Sequence, residues 1–382
     1  MGYTMDRPSR VTAAERGSVL VIVLVTLVFA ATALLAFVER AGDDLLVEAR
    51  AADAARLRAE AYSALETTLA VLEDFRLTGG ALRSLAEGWG DPLGWVGYGP
   101  MVEGRTVEVT FVDESGKLPL PNTEFLTLVA LFEHEGLTRN DAERLADALL
   151  VWSRKDYVPV TPGASRAEDY ERAGLPFVPP RRSLRSFSEL AAIDGVREQF
   201  FDEMGKPNEL WVRFTAAVSL YNYPRPNLNA APEAVLAALG AYTETQRAQL
   251  RDYFSGTGAY LAQGPGYFRS PEDAGLVLGE QAVAPGFAAQ VRALRINVTV
   301  RQGLSSFQLS AVVAPPNGAR VVPPVGAAET TLPPTSGQNQ ATPSSATAAT
   351  AAANLNYPFT LLEITENAAM SVLLAADAAE TP

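Results

Sequence analysis

Cysteine is absent from this chain of 382 residues, and histidine occurs once, at His134. The first absence excludes disulfides and thiol chemistry. It leaves the compartment open, because many extracytoplasmic proteins do without cystines. The second removes most histidine-based catalysis and metal binding. Basic charge is also short: 31 Lys and Arg stand against 44 Asp and Glu, a formal net charge of -13. Such a chain repels nucleic acid and anionic lipid in bulk. Phosphate-loop, His-Glu-x-x-His and Gly-x-Ser-x-Gly motifs are missing. No two carboxylates stand out as an acid and base held in an apolar setting. His134, between Glu133 and Glu135 with no second His or Cys nearby, reads as a surface residue at a helix end. The composition leans away from an enzyme, and the length suits two or three domains.

What is present is a long apolar run. Ser18 to Val38 carries no charge, Pro or Gly, and as a helix it is long enough to cross a bilayer core. Arg7, Arg10 and Arg16 precede it; Glu39, Arg40, Asp43, Asp44 and Glu48 follow. The basic side belongs in the cytoplasm, which puts the bulk of the chain outside it. Three processing readings compete. One is a plain single-pass anchor. Another is a secretory signal peptide cut near Ala31-Thr32-Ala33, which leaves an odd apolar start at Leu34. The third is a prepilin-type leader, residues 1–17, ending in Gly17 and cut before Ser18, with the apolar helix retained.

Helix signals continue from Ala41 to about Phe75, with Leu45, Ala49, Ala52, Ala59, Tyr62, Leu65, Leu69 and Leu72 at helical spacings, and Gly79-Gly80 as the stop. The later part of this helix is expected to pack on a sheet. A Gly-rich loop from Glu87 to Gly104 carries Trp89, Trp95 and Tyr98, expected to fold back on the surface. Arg105 to Val112 alternates as a half-buried strand. Helices return from Asn122 to about Ala293, with Asn122, Thr138, Ser186 or Ser188, and Thr243 as predicted caps and Pro232 in a first turn. Asn122…Leu126…Thr138…Leu145…Trp152 is faintly repeated as Asn229…Leu236…Thr243…Leu250…Phe254. Strands resume at Arg295 to Arg301 and Ser306 to Val313. A low-complexity linker then leads to a last strand between Tyr357 and Glu366 and an Ala-rich tail.

This order resembles the K-type minor pseudopilin of type II secretion systems. The residues behind the likeness are Arg16-Gly17-Ser18 with the following apolar run, and Asp113-Glu114-Ser115-Gly116-Lys117-Leu118-Pro119-Leu120-Pro121-Asn122. Leu145 to Trp152, Ser186 to Leu190 and Asn227 to Leu236 add to it. Most pseudopilins place a Glu at the fifth mature position; here that position is Ile22, and K-type subunits are the ones that lack the Glu. The resemblance implies an α+β fold: a long pilin-like N-terminal helix packed on a small antiparallel sheet, with a large all-α insert of helix-hairpin-helix or SAM-like type. The implied division is a leader over 1–17, a transmembrane stretch over 18–38, and helix, loop and first strand over 39–113. The insert takes 114–293, two strands 294–313, the linker 314–355, and the last strand and tail 356–382.

The resemblance further implies an inner-membrane protein with its N-terminus cytoplasmic and its bulk periplasmic. Its partners would be I-type and J-type minor pseudopilins, then H-type and the major pseudopilin, with the inner-membrane assembly platform and prepilin peptidase. The peptidase would cut between Gly17 and Ser18, and Ser18 would become a methylated terminus. Members of the family often carry an Asp-rich calcium loop after the Trp. Here Asp156, Glu168 and Asp169 are the candidate ligands, while Arg154 and Lys155 stand where further acids would help. Leu190 to Arg197 resembles half of a helix-hairpin-helix turn, with Arg197 in place of the second Gly. A pilus-tip or DNA-uptake protein using that turn is the alternative function, and a membrane-anchored hydrolase without a visible catalytic set is the third.

Overall fold

The computed structural model describes residues 13–162, 167–172, 178–279, 286–321 and 358–367. The fold is α+β. Helix α1 runs Ala13–Gly79, and the loop after it holds a short α2, Pro92–Trp95. Strand β1 (Arg105–Asp113) leads to the two-residue β2 (Leu118–Pro119). Then come α3 (Phe125–His134), α4 (Arg139–Ser153), α5 (Ala167–Arg172), α6 (Val196–Phe200) and α7 (Glu209–Ala217). Strand β3 (Val218–Ser219), α8 (Glu233–Gly240), α9 (Glu244–Ser255) and α10 (Gly275–Leu278) complete the helical part. Strands β4 (Leu294–Gln302), β5 (Ser305–Ala314) and β6 (Thr360–Glu366) follow.

The main sheet has the order β1-β4-β5-β6 with antiparallel neighbours. Val109 lies opposite Val298, and Val298 opposite Leu309. Ile296, Val298 and Val300 alternate inward and are fully buried, as a half-covered sheet requires. A bulge interrupts the β5–β6 ladder at Val312/Val313. β2 and β3 form a separate short parallel pair.

The chain divides into two compact units, residues 1–59 and 60–382. In the first, the helix exposes its apolar run from Leu20 at 70% to Val38 at 58%, and buries Leu57 near its end. It is long and apolar enough to cross a membrane. In the second, α1 buries Ala61, Ala64, Leu65, Thr68, Leu69 and Leu72. The predicted stripe is corrected at its start: Leu45, Ala49, Ala52 and Ala59 are exposed. At about 100° per residue they fall well round an ideal helix from Leu65, so successive spacings of three, four and seven mix two faces. Gly80, at φ 76°, takes the left-handed turn that ends the helix.

Two more expectations change. Trp89 is not a surface residue. It is 1% exposed, sits edge-on to Phe111 at 5.4 Å, and donates from Nε1 to Glu87 at 3.1 Å. Trp95 does lie on the surface, against Phe75. Asn122 does not cap α3. That helix starts at Phe125 after Glu124, which makes no side-chain cap, because Leu120–Asn122 forms a 3-10 turn. Asn122 instead donates to Asn222 and to the Tyr223 carbonyl. The Thr138, Ser186 and Thr243 caps form as the sequence suggests. The helical core is built from Leu128, Phe132, Leu145, Leu149, Phe200 and Phe214, with Phe132 stacked on Phe214 at 5.5 Å.

Candidate functional site

The helical insert joins the sheet at one compact polar junction. Strand β1 ends at Asp113, whose side chain caps the 3-10 turn Glu114–Gly116. Asp113 Oδ1 accepts from the Ser115 amide at 2.9 Å and the Ser115 hydroxyl at 2.5 Å, and Oδ2 accepts from Asn227 Nδ2 at 2.7 Å. Asn227, fully buried, also donates from Nδ2 to the Arg83 carbonyl, and its amide donates to the Ser115 carbonyl at 2.6 Å. Ser115 Oγ accepts from the Arg292 amide at 2.8 Å. Entry to the insert, its middle, its exit and the loop after α1 thus meet within one hydrogen-bonded set.

Gly116 is required there by close approach. A Cβ on it would lie 2.2 Å from the Ala230 carbonyl oxygen. Beside it, Glu114 receives Arg295 Nε at 2.7 Å and Lys117 Nζ at 3.0 Å. Arg295 also reaches Glu363 on β6, which accepts from the Tyr221 hydroxyl. The Tyr223 hydroxyl lies 2.7 Å from the carbonyls of both Glu114 and Lys117. Burial pushes the Asp113 carboxyl up to about 6, against the three donors that favour its ionised form. Lys117 and Arg295 outweigh burial at Glu114 and hold its carboxyl below the usual range. These groups are spent on one another, and the arrangement fits a mechanical joint rather than a reacting centre.

The other predicted residues lie elsewhere. Gly17 and Ser18 fall inside α1. Ile22 is 60% exposed in the apolar run, and its carbonyl accepts from Thr26 Oγ1 at 3.0 Å. His134 ends α3 and is exposed. Gly195, at φ 74°, precedes the five-residue α6, so the hairpin-like turn exists but its second helix is short.

The candidate calcium ligands do not converge. Asp156 is exposed at φ 63°, and Glu168 and Asp169 pair with Arg172 at 3.5 and 2.9 Å. Among the described residues no three His, Cys, Asp or Glu side chains gather to hold a metal. The linker 314–355 is described only at its start, and residues 368–382 of the tail lie outside the described residues.

An α+β protein with an exposed apolar N-terminal helix, long enough to cross a membrane, and a helical insert joined to the sheet through a polar knot is the class these features define. Residues 113–206 match the family described as type II secretion system (T2SS), protein K. The K-type resemblance is thereby shown on the segment that runs from the junction into the insert. No curated protein matches the chain. One solved structure is described as the crystal structure of the GspK-GspI-GspJ complex from the enterotoxigenic Escherichia coli type 2 secretion system. A chain of it is 15% identical over 72% of this chain and 95% of that one, with a TM-score of 0.49.

The sequence carries the junction segments as family likenesses but marks no role for Asp113 or Asn227. The signal was available: polar residues flanking apolar runs and destined for burial must find partners.

Proposed function

We propose that this chain is a minor pseudopilin of a type II secretion system that caps the pseudopilus tip and helps start its assembly. The observation that carries the reading is the protein K match over residues 113–206. The exposed apolar helix supports it as a single-pass anchor. The basic residues before the helix and the acids after it favour a cytoplasmic N-terminus. Ile22 supports the tip position. A buried Glu there would pair with the amino terminus of the next subunit, and neither charge is tolerable alone in lipid. Ile22 cannot form that pair, and a bulky insert blocks stacking above it. I-type and J-type pseudopilins are the proposed neighbours, then H-type and the major subunit.

Mass spectrometry of the mature N-terminus, from cells with and without prepilin peptidase, tests this. The reading expects a start at Ser18 that depends on the peptidase and is lost in Gly17→Ala. A start at Leu34 would overturn it.

A further inference from the structure

We propose that Asp147 orders segment 154–161 of the insert through protein donors alone, in the place where a K-type resemblance implies calcium, so that this loop holds its shape without metal. Asp147 is the charged residue in a helical run, Leu145 to Trp152, that is buried throughout, and it is itself 0% exposed. A carboxylate so placed needs donors, since an unpaired charge in the interior is strongly unfavourable. The loop supplies them. Oδ1 accepts from the Tyr157 hydroxyl at 2.7 Å and the Val160 amide at 3.0 Å, and Oδ2 accepts from the Thr161 amide at 2.6 Å.

The loop is tied at its start as well. The Arg154 amide donates to the Leu150 carbonyl, and its guanidinium donates to the Thr123 carbonyl. Calcium asks for oxygen lone pairs that converge on one point. Here hydrogens are directed at the carboxylate oxygens, Asp156 lies exposed, and a guanidinium and an ammonium flank the turn. Burial and the neighbouring carboxylate raise the Tyr157 phenol, so it remains a donor at neutral pH. The inference stands on these contacts and does not require the secretion role.

Limited trypsinolysis of the full chain in detergent, reading the rate of cleavage after Lys155, tests it. The wild-type rate should be the same with calcium chloride as with EGTA. Tyr157→Phe, which deletes one donor and no packing, should raise the rate about fivefold, and Asp147→Asn by more, without calcium dependence in either. Calcium protection of Lys155 in the wild type would overturn the proposal. So would a Tyr157→Phe rate equal to wild type. If Asp147→Asn fails to fold, the wild-type and Tyr157→Phe arms still decide.

Discussion

Replacing Arg105 by Met should cost about 3–5 kcal/mol, a loss out of proportion to the volume changed. Arg105 is the first residue of β1, and its side chain is 3% exposed beside a Glu60 that is fully buried. Its Nη1 donates to Glu60 Oε2 at 2.9 Å, and its Nη2 donates to Gln302 Oε1 at 2.8 Å. Glu60 also accepts from the Tyr98 hydroxyl at 2.8 Å and the Met101 amide at 3.2 Å. Met fills much of the space the Arg stem occupied, so lost packing is the smaller part. The larger part is a carboxylate left in the interior with two neutral donors. Glu60→Gln should cost a similar amount, by stranding the guanidinium. The double variant removes both charges and keeps an acceptor for Tyr98 and Met101, so its cost should fall well below the sum, with a coupling of several kcal/mol (order of magnitude). Denaturant unfolding of the full chain in detergent, followed by tryptophan fluorescence, reads this, and the buried Trp89 is a suitable reporter. An Arg105→Met cost under about 1 kcal/mol, or strict additivity in the double variant, would refute the reasoning.

Asp113 predicts a pH dependence. Its folded pKa is raised from 3.8 to about 6, so its favourable contribution is complete below about pH 4 and is lost as pH rises through 6. The full difference is at most about 3 kcal/mol, an upper bound because the residue keeps some exposure. Asp113→Asn should therefore flatten the stability profile between pH 4 and 7 relative to wild type; parallel profiles would sink the assignment. Gly116→Ala should lower the thermal midpoint by several degrees, on the order of 1–3 kcal/mol or more, because the new methyl meets the Ala230 backbone at 2.2 Å. An unchanged midpoint would mean that this turn yields more easily than its contacts suggest.

The strands were legible because their pattern is local. Val107, Val109 and Phe111 alternate with Thr106, Glu108 and Thr110, and β1 spans Arg105–Asp113. The caps at Thr138 and Thr243 were legible for the same reason: donor and acceptor lie three residues apart in sequence. Asn122 misled because a cap and a long-range amide look alike in sequence, and its partner Asn222 lies 100 residues away. Trp89 misled because a Gly-rich loop suggests exposure, whereas here the loop supplies Glu87 to the indole and lays its ring on Phe111. The junction was unreadable as a site because Asp113, Asn227 and Arg292 meet only in three dimensions.

One physical theme joins the places the sequence hid. Glu60, Asp113 and Asp147 each sit where an irregular segment meets a regular element, and each accepts from three donor groups. Glu60 takes Tyr98, Met101 and Arg105; Asp113 takes the Ser115 amide and hydroxyl and Asn227; Asp147 takes Tyr157, Val160 and Thr161. Each holds at least one backbone amide from outside the helix and strand ladders, and Asp113 also fastens one end of the insert to its middle. A carboxylate is suited to this work because it offers about four acceptor sites at one point and no competing donor. It is also unforgiving, since removing any donor leaves charge in a low-dielectric interior. An acidic balance usually prompts a search for catalysis or cation binding. In this chain these three carboxylates have their lone pairs committed to fixing loops, so the acidity that looks like chemistry in the sequence acts as architecture in the fold.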